Sequence, residues 1–173
     1  LLSTGHETRA QLLDPRTSGV SVTGTSGADT YVGSAFADVM KGAGGDDNLW
    51  GGSGDDTLDG GIGRDVLSGG VGKDKLLGKG GKDIFVFADV VARANADKIK
   101  DFEHNKDKIF LDQDIFAAVG PKLGKKEFFE GRKAHDNNDH IIRKGKKLFY
   151  DDDGKGGDKQ LLFAKVDKKT VID

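Results

Sequence analysis

Apolar side chains recur through the first half of the chain at one spacing. Tyr31, Met40, Leu49, Leu58, Leu67, Leu76 and Phe85 stand nine residues apart. The residues between them keep one order, so the unit is G-G-x-G-x-D-x-U-x, with U apolar. Residues 42–86 read GAGGDDNLW, GGSGDDTLD, GGIGRDVLS, GGVGKDKLL and GKGGKDIFV, and two worn copies, GTSGADTYV and GSAFADVMK, run into them from Gly24. A self-similar period specifies architecture more directly than any local propensity. In each unit six residues suit a turn, and the last three form a short strand whose middle residue points inward. Each turn reverses the chain, so successive strands fall in two opposed sheets. Two units then make one coil of eighteen residues, and units two apart stack. Positions 7 and 9 face outward: Asn48, Trp50, Val66, Ser68, Ile84 and Val86 on one sheet, Thr57, Asp59, Lys75 and Leu77 on the other. The first face grows apolar toward its C-terminal end, so the following segment is expected to pack over Val66, Ile84 and Val86.

The pattern changes after Val86. Eight of the ten Phe lie beyond it, whereas eighteen of the 27 Gly lie within the seven units. Residues 87–96 close the repeat, with a helical turn. Residues 97–102 (DKIKDF) and 107–112 (DKIFLD) alternate like two strands. Residues 115–119 suit a short helix before Gly120-Pro121, and Phe128 and Phe129 suit core anchors. Residues 141–143 and 147–150 form a candidate hairpin around Lys144-Gly145, and residues 160–166 another strand. Neighbouring strands with short turns suggest an antiparallel meander that covers the open edge of the stack. Residues 1–21 are polar, with Leu12, Leu13 and Val20 as anchors and Pro15 barring a helix. The organisation expected is therefore a linker or cap over 1–21, the stacked repeat over 22–96 and a C-terminal β cap over 97–173.

The chemistry of the repeat lies in its turns. Glycines at positions 1, 2 and 4 permit backbone angles closed to other residues and expose carbonyl oxygens: Gly42, Gly45, Gly51, Gly52, Gly54, Gly60, Gly61, Gly63, Gly69, Gly70, Gly72, Gly78 and Gly81. Position 6 adds a carboxylate. Stacking aligns Asp29, Asp47, Asp65 and Asp83 on one edge and Asp38, Asp56 and Asp74 on the other. Coils stack at about 4.8 Å, the ordinary strand spacing. Carboxylates so placed repel by roughly 1–3 kcal/mol at surface-like dielectric, so each row calls for cations. Oxygen donors without nitrogen or sulfur select a hard ion, and flexible geometry favours calcium over magnesium. Seven inward side chains contribute too little to order 63 residues, which predicts a stack that is disordered without metal and folds on binding it.

These units resemble the calcium-binding nonapeptide repeats of the RTX proteins, bacterial exports that leave by type I secretion. The resemblance is specific over residues 42–86 and looser over 24–41. It implies a parallel β-roll followed by an antiparallel β-rich cap, an all-β chain with several calcium ions between its turns. On the family's spacing, ions are expected between the Asp pairs 29/47, 47/65, 65/83, 38/56 and 56/74. Phe36 replaces the fourth glycine of its unit, and Ala43 and Lys79 replace the second of theirs. Asp46 and Asp55, at position 5, are expected to point to solvent. The D-x-I pattern after the repeat resembles segments that follow RTX repeats in secreted proteases and epimerases, with Asp97 and Asp101 as candidates to complete the last ion site. The resemblance further implies a secreted, extracellular module that engages the type I secretion machinery transiently, stays unfolded at low calcium and folds outside the cell.

Composition narrows the alternatives. The net charge of −2 and the absence of cysteine remove strongly basic nucleic-acid binders, disulfide frameworks and thiol chemistry. No apolar run reaches the roughly 18 residues of a membrane span. H-E-x-x-H, G-x-S-x-G, a Walker loop and G-x-G-x-x-G are all missing, so no catalytic constellation is expected in this stretch. The first residue is Leu1, as in a piece of a longer protein, and the ending Thr170-Val171-Ile172-Asp173 lacks an acidic-then-apolar export tail. Minor metal candidates are His6 with Glu7, the cluster His135, Asp136, Asp139 and His140, and Asp151-Asp152-Asp153-Gly154, which reads more simply as a solvated turn. The alternative function is an extracellular polysaccharide or cell-surface binding module, which needs a track built from Trp50, Lys73 and Lys75.

Overall fold

The structure is a computed structural model and describes residues 18–103, 106–117, 128–130, 140–151 and 160–167. Short strands follow one another at the period of the repeat: β1 (Ser21–Thr23), β2 (Thr30–Val32), β3 (Val39–Gly44), β4 (Asn48–Ser53), β5 (Thr57–Ile62), β6 (Val66–Val71), β7 (Lys75–Gly80) and β8 (Ile84–Phe87). A single 3-10 turn (Arg93–Asn95) precedes β9 (Asp97–Ile99) and β10 (Lys108–Leu111). Then come β11 (Phe128–Glu130), β12 (Ile141–Lys144), β13 (Lys147–Tyr150) and β14 (Leu161–Val166). No α-helix occurs among the described residues.

Odd and even strands separate into two sheets. One runs β1-β3-β5-β7-β9 and the other β2-β4-β6-β8-β10, all parallel. Leu49 pairs with Leu67 and Leu58 with Leu76, the register shift of eighteen residues that two units per coil demand. Tyr31, Met40, Leu49, Leu58, Leu67, Leu76 and Phe85 close the space between the sheets at 0–5 % exposure. Each such side chain adds about 1.5–3 kcal/mol by burial. The fold is thus a parallel β-roll whose core is one residue wide.

The stack does not stop at residue 96. Ile99 pairs with Leu76, and Ile109 with Phe85, so β9 and β10 add one more coil. Their register shifts are 23 and 24 residues, because chain has been inserted after Phe87 and again at Asp101. Beyond β9 the sheet goes on through β14, which lies parallel to it. The pairs β14-β13 and β13-β12 are antiparallel, as the cap was expected to be, while β12 and β11 pair in parallel. The cap therefore extends one face of the roll. Phe87, Phe116, Tyr150 and Phe163 fill its base edge-to-face, with ring centroids 5.0–5.3 Å apart.

One local expectation is corrected. Residues 112–117 form no helix. The N–H groups of Ile115 and Phe116 both donate to the carbonyl of Asp112, whose own Oδ1 accepts from Asp114 N–H at 2.9 Å, so the chain makes one turn that drops Phe116 into the core. Residues 118 and 119 lie outside the described residues. Ser68, on the outward face, is only 5 % exposed, beside the half-buried Val66, Ile84 and Val86, whereas Val32 and Trp50 in the same sheet stay exposed. Phe128 and Phe129 lie on β11, and their side chains fall outside the described residues.

Candidate metal centre

Each repeat carboxylate is held in place by the coil before it. Asp29, Asp38, Asp47, Asp56, Asp65, Asp74 and Asp83 donate their backbone N–H to Oδ1 of Asp47, Asp56, Asp65, Asp74, Asp83, Asp97 and Asp107 respectively, at 2.7–3.1 Å. One oxygen of every side chain is thereby spent on stacking. The other, Oδ2, turns toward the first glycine of its own unit. A β-carbon built on Gly42, Gly51, Gly60, Gly69 or Gly78 would lie 2.1–2.3 Å from Oδ2 of Asp47, Asp56, Asp65, Asp74 or Asp83. That steric fact explains the glycine at position 1.

Oδ2 of Asp47, Asp56, Asp65 and Asp74 is buried and meets no hydrogen-bond donor. These side chains are 0–1 % exposed. Leaving such an acceptor unsatisfied costs about 1–3 kcal/mol, and more when it is charged. The metal-free groups respond by holding their protons to higher pH. Burial, aided by neighbouring carboxylates, pushes Asp47, Asp65, Asp74 and Asp83 up to about 6 and Asp56 up to about 7, against the N–H donated by the preceding Asp. Asp97, buried as well and hydrogen-bonded to the Asp74 carboxylate, is pushed up to about 9, chiefly by burial.

A cation fits this arrangement. Four bare carboxylate oxygens sit in two rows beside turn carbonyls, and every donor at hand is oxygen, the chemistry of a hard divalent ion. Among the described residues no three His, Cys, Asp or Glu side chains converge on one point. Any ion at Oδ2 must therefore complete its shell with backbone carbonyls and water. Position 4 crowds such carbonyls together. A β-carbon on Gly63, Gly72 or Gly81 would strike the carbonyl oxygen of Gly45, Gly54 or Gly63 at 1.6–2.0 Å. Ala43 and Lys79, at position 2, adopt the glycine conformation with φ of 79° and 69°. Their units keep the turn at a strain of about 1–2 kcal/mol per residue.

The remaining sequence candidates separate. Asp29 and Asp38 are buried like the others, but protein donors already reach their Oδ2 atoms. Asp97 occupies the next position of the Asp38–Asp56–Asp74 row. Asp101 instead accepts from Gly78 N–H at 3.0 Å and Lys79 N–H at 3.1 Å, so both its oxygens clamp backbone. Asp46 and Asp55 are exposed as expected, yet not idle: they accept from Arg64 N–H at 2.8 Å and Lys73 N–H at 2.9 Å one coil on. Asp107, which sequence reasoning missed, extends the Asp65–Asp83 row. The signal was the repeated triplet Asp-Lys-Ile at 97–99 and 107–109, the D-x-U of the unit without its glycines. His140 hydrogen-bonds the Asp151 carbonyl through Nδ1 at 2.8 Å. His6, Glu7, His135, Asp136, Asp139 and residues 152–154 lie outside the described residues. Trp50 is on β4 and Lys75 on β7, in different sheets, so the two do not form one track.

Residues 23–58 and 50–85 match the family described as the RTX calcium-binding nonapeptide repeat, in four copies. Among solved structures the chain is similar to the solution structure of the AlgE6R3 subunit from the Azotobacter vinelandii mannuronan C5-epimerase. Identity is 23 %, the match covers 95 % of this chain and 77 % of that one, and the TM-score is 0.34. No curated protein matches the chain.

Proposed function

We propose that this chain, whose residues 23–58 and 50–85 match the RTX calcium-binding nonapeptide repeat, is a calcium-folded module of a secreted bacterial protein, unfolded where calcium is scarce and locked into a β-roll where it is abundant. The observation that carries the reading is the set of four buried, unpartnered Oδ2 atoms on Asp47, Asp56, Asp65 and Asp74. Repulsion between like charges on adjacent coils opposes stacking until cations enter. Calcium bound there supplies positive charge and oxygen coordination in place of the missing donors. The chain's own residues do the rest. Backbone N–H groups pin Oδ1, position 1 leaves room for Oδ2, and the turns present carbonyls.

Extracellular calcium modules bind at about 10⁻⁴–10⁻³ M. With calcium tenfold above such a dissociation constant, each ion adds roughly 1.4 kcal/mol to the folded state by mass action. Four ions then contribute an amount comparable to the whole stability of a marginal domain, about 5–15 kcal/mol. This dependence suits type I export, in which an unfolded chain is threaded out and folds only on arrival. RTX repeats are structural calcium-binding units, and the reading assigns no catalysis to this stretch. No helix among the described residues is long and apolar enough to cross a membrane. The polysaccharide-binding alternative gains nothing from the geometry, since Trp50 and Lys75 lie on different sheets. Far-UV circular dichroism during a calcium titration tests the reading. The β signal should rise cooperatively with calcium and vanish on chelation. A β signal already complete in chelator at pH 7.5 refutes it.

A further inference from the structure

Extending the register through Asp97 and Asp107 gives nine aligned carboxylates, and the Oδ2 atoms of seven of them fall into two kinds. Oδ2 of Asp47, Asp56, Asp65 and Asp74 meets no donor. Oδ2 of Asp29, Asp38 and Asp107 receives a backbone N–H from four residues upstream, from Thr25, Ser34 and Glu103, each at 2.6 Å. In all three cases the donor is position 2 of the same nonapeptide frame. Two of them reinforce the contact with a hydroxyl: Thr25 Oγ1 donates to Asp29 Oδ2 at 3.0 Å, and Ser34 Oγ reaches Asp38 Oδ1 at 3.0 Å and Oδ2 at 3.2 Å.

The two kinds differ in one backbone angle. At position 2 of the bare units φ is positive: 79° at Ala43, 104° at Gly52, 110° at Gly61 and 92° at Gly70. Thr25, Ser34 and Glu103 are not among the positive-φ residues. Changing the sign of φ swings the peptide plane, so one sign aims the N–H at the carboxylate and the other leaves Oδ2 uncovered. Side chains rarely adopt the positive region, and glycine adopts it freely. The φ of residue 2 therefore selects between the two states; glycine enters the bare one freely, and Ala43 and Lys79 are held in the same positive-φ region by their coils.

We propose that position 2 is a switch that decides, unit by unit, whether the aspartate takes an ion through Oδ2, and that this protein uses it to close both ends of the Asp29–Asp107 row and the N-terminal end of the Asp38–Asp97 row. Thr25 and Ser34 close the N-terminal coil and Glu103 closes the C-terminal one with protein donors. The terminal aspartates Asp29, Asp38 and Asp107 are then structural carboxylates, and the ions are confined to the interior units. β2 and β10, which follow Asp29 and Asp107, are the edge strands of their sheet, so an ion at either end of that row would be half-coordinated and would exchange readily with solvent. The inference rests on the calcium reading above. It departs from the family spacing, under which Asp29 and Asp38 each share an ion with the next coil.

Substitution at Thr25 supplies the test, because Thr25→Gly alone turns GTSGAD into the complete GGSGAD. Bound calcium is counted by native mass spectrometry at saturating calcium, for the full chain and for each variant. Thr25→Gly should carry one ion more than the parent. Thr25→Val removes the hydroxyl but keeps a β-branched side chain, which resists positive φ more strongly than the alanine at position 43, and should carry the parental number. Asp29→Asn should also leave the number unchanged, whereas Asp65→Asn should lose at least one ion. A parent chain that binds no calcium overturns the calcium reading itself. A parent that binds calcium overturns the switch alone under any of three results: no gain in Thr25→Gly, an equal gain in Thr25→Val, or a loss in Asp29→Asn.

Discussion

Gly60→Ala is the sharpest probe of how the turn holds its carboxylate. Gly60 lies outside the positive-φ region, so the backbone itself tolerates alanine there. The obstacle is space. The added carbon would sit 2.3 Å from Asp65 Oδ2, 2.8 Å from its Cγ and 2.9 Å from its Cβ. The whole Asp65 side chain has to retreat by about 1 Å to reach an ordinary van der Waals separation near 3.5 Å. It is not free to do so, because Oδ1 accepts the Asp47 N–H at 2.9 Å and the side chain is fully buried. Overpacking of this kind costs about 1–3 kcal/mol, and a lost hydrogen bond to a charged group about 1.5–3 kcal/mol. The combined loss, about 3–5 kcal/mol, corresponds to a drop of roughly a hundred- to several-thousandfold in the binding constant of the affected site. Gly44→Ala is the matched control. Gly44 occupies position 3 of an interior unit, and the nearest atom to its added carbon is 3.8 Å away. Calcium titrations followed by far-UV circular dichroism should show Gly44→Ala folding at the parental calcium concentration and Gly60→Ala needing far more, or failing to complete the transition. Coincident curves for the two variants refute the steric account of position 1.

Two further outcomes follow from the burial of the same side chains. In metal-free buffer the folded state holds protons on Asp47, Asp56, Asp65, Asp74 and Asp83 up to pH of about 6–7, well above the ordinary carboxylate value of 3.8. The folded form binds more protons than the unfolded one between those limits, so this contribution is fully present below about pH 4 and is lost as pH rises through 6–7. Circular dichroism without calcium should therefore show more β-roll at pH 4.5 than at pH 8, while calcium affinity falls over the same descent in pH; a metal-free signal that grows toward pH 8 contradicts the assignment. Leu67→Ala, at a fully buried position in mid-stack, should cost about 2–5 kcal/mol in urea unfolding at saturating calcium. Leu161→Ala, at a 42 % exposed position, should cost less than 1 kcal/mol, and equal losses would mean that the inward column is not the core.

The period of nine settled much of the molecule before any coordinates. A strict repeat of Asp at position 6 and an apolar residue at position 8 admits one stacking, so the two sheets, the register of eighteen, the inward column from Tyr31 to Phe85 and the two rows of carboxylates were legible one unit at a time. Local chemistry repeated in register behaves as long-range order. Where the repeat fades, that legibility ends. β9 and β10 continue the stack although their units have lost every glycine, and Asp107 joins its row across an insertion that hides the period. The pairing of Ala164 with Asp97 brings together segments with no shared pattern, decided by the fit of Phe87, Phe116 and Phe163 beneath them. The division of the aspartates was equally hidden: residues of one type at one position differ according to whether a peptide plane four residues upstream faces them or turns away. Composition and spacing say which groups lie near one another, but the direction of a single N–H, and hence whether a carboxylate oxygen is left bare, is set only when the backbone of the assembled coil takes its final angles.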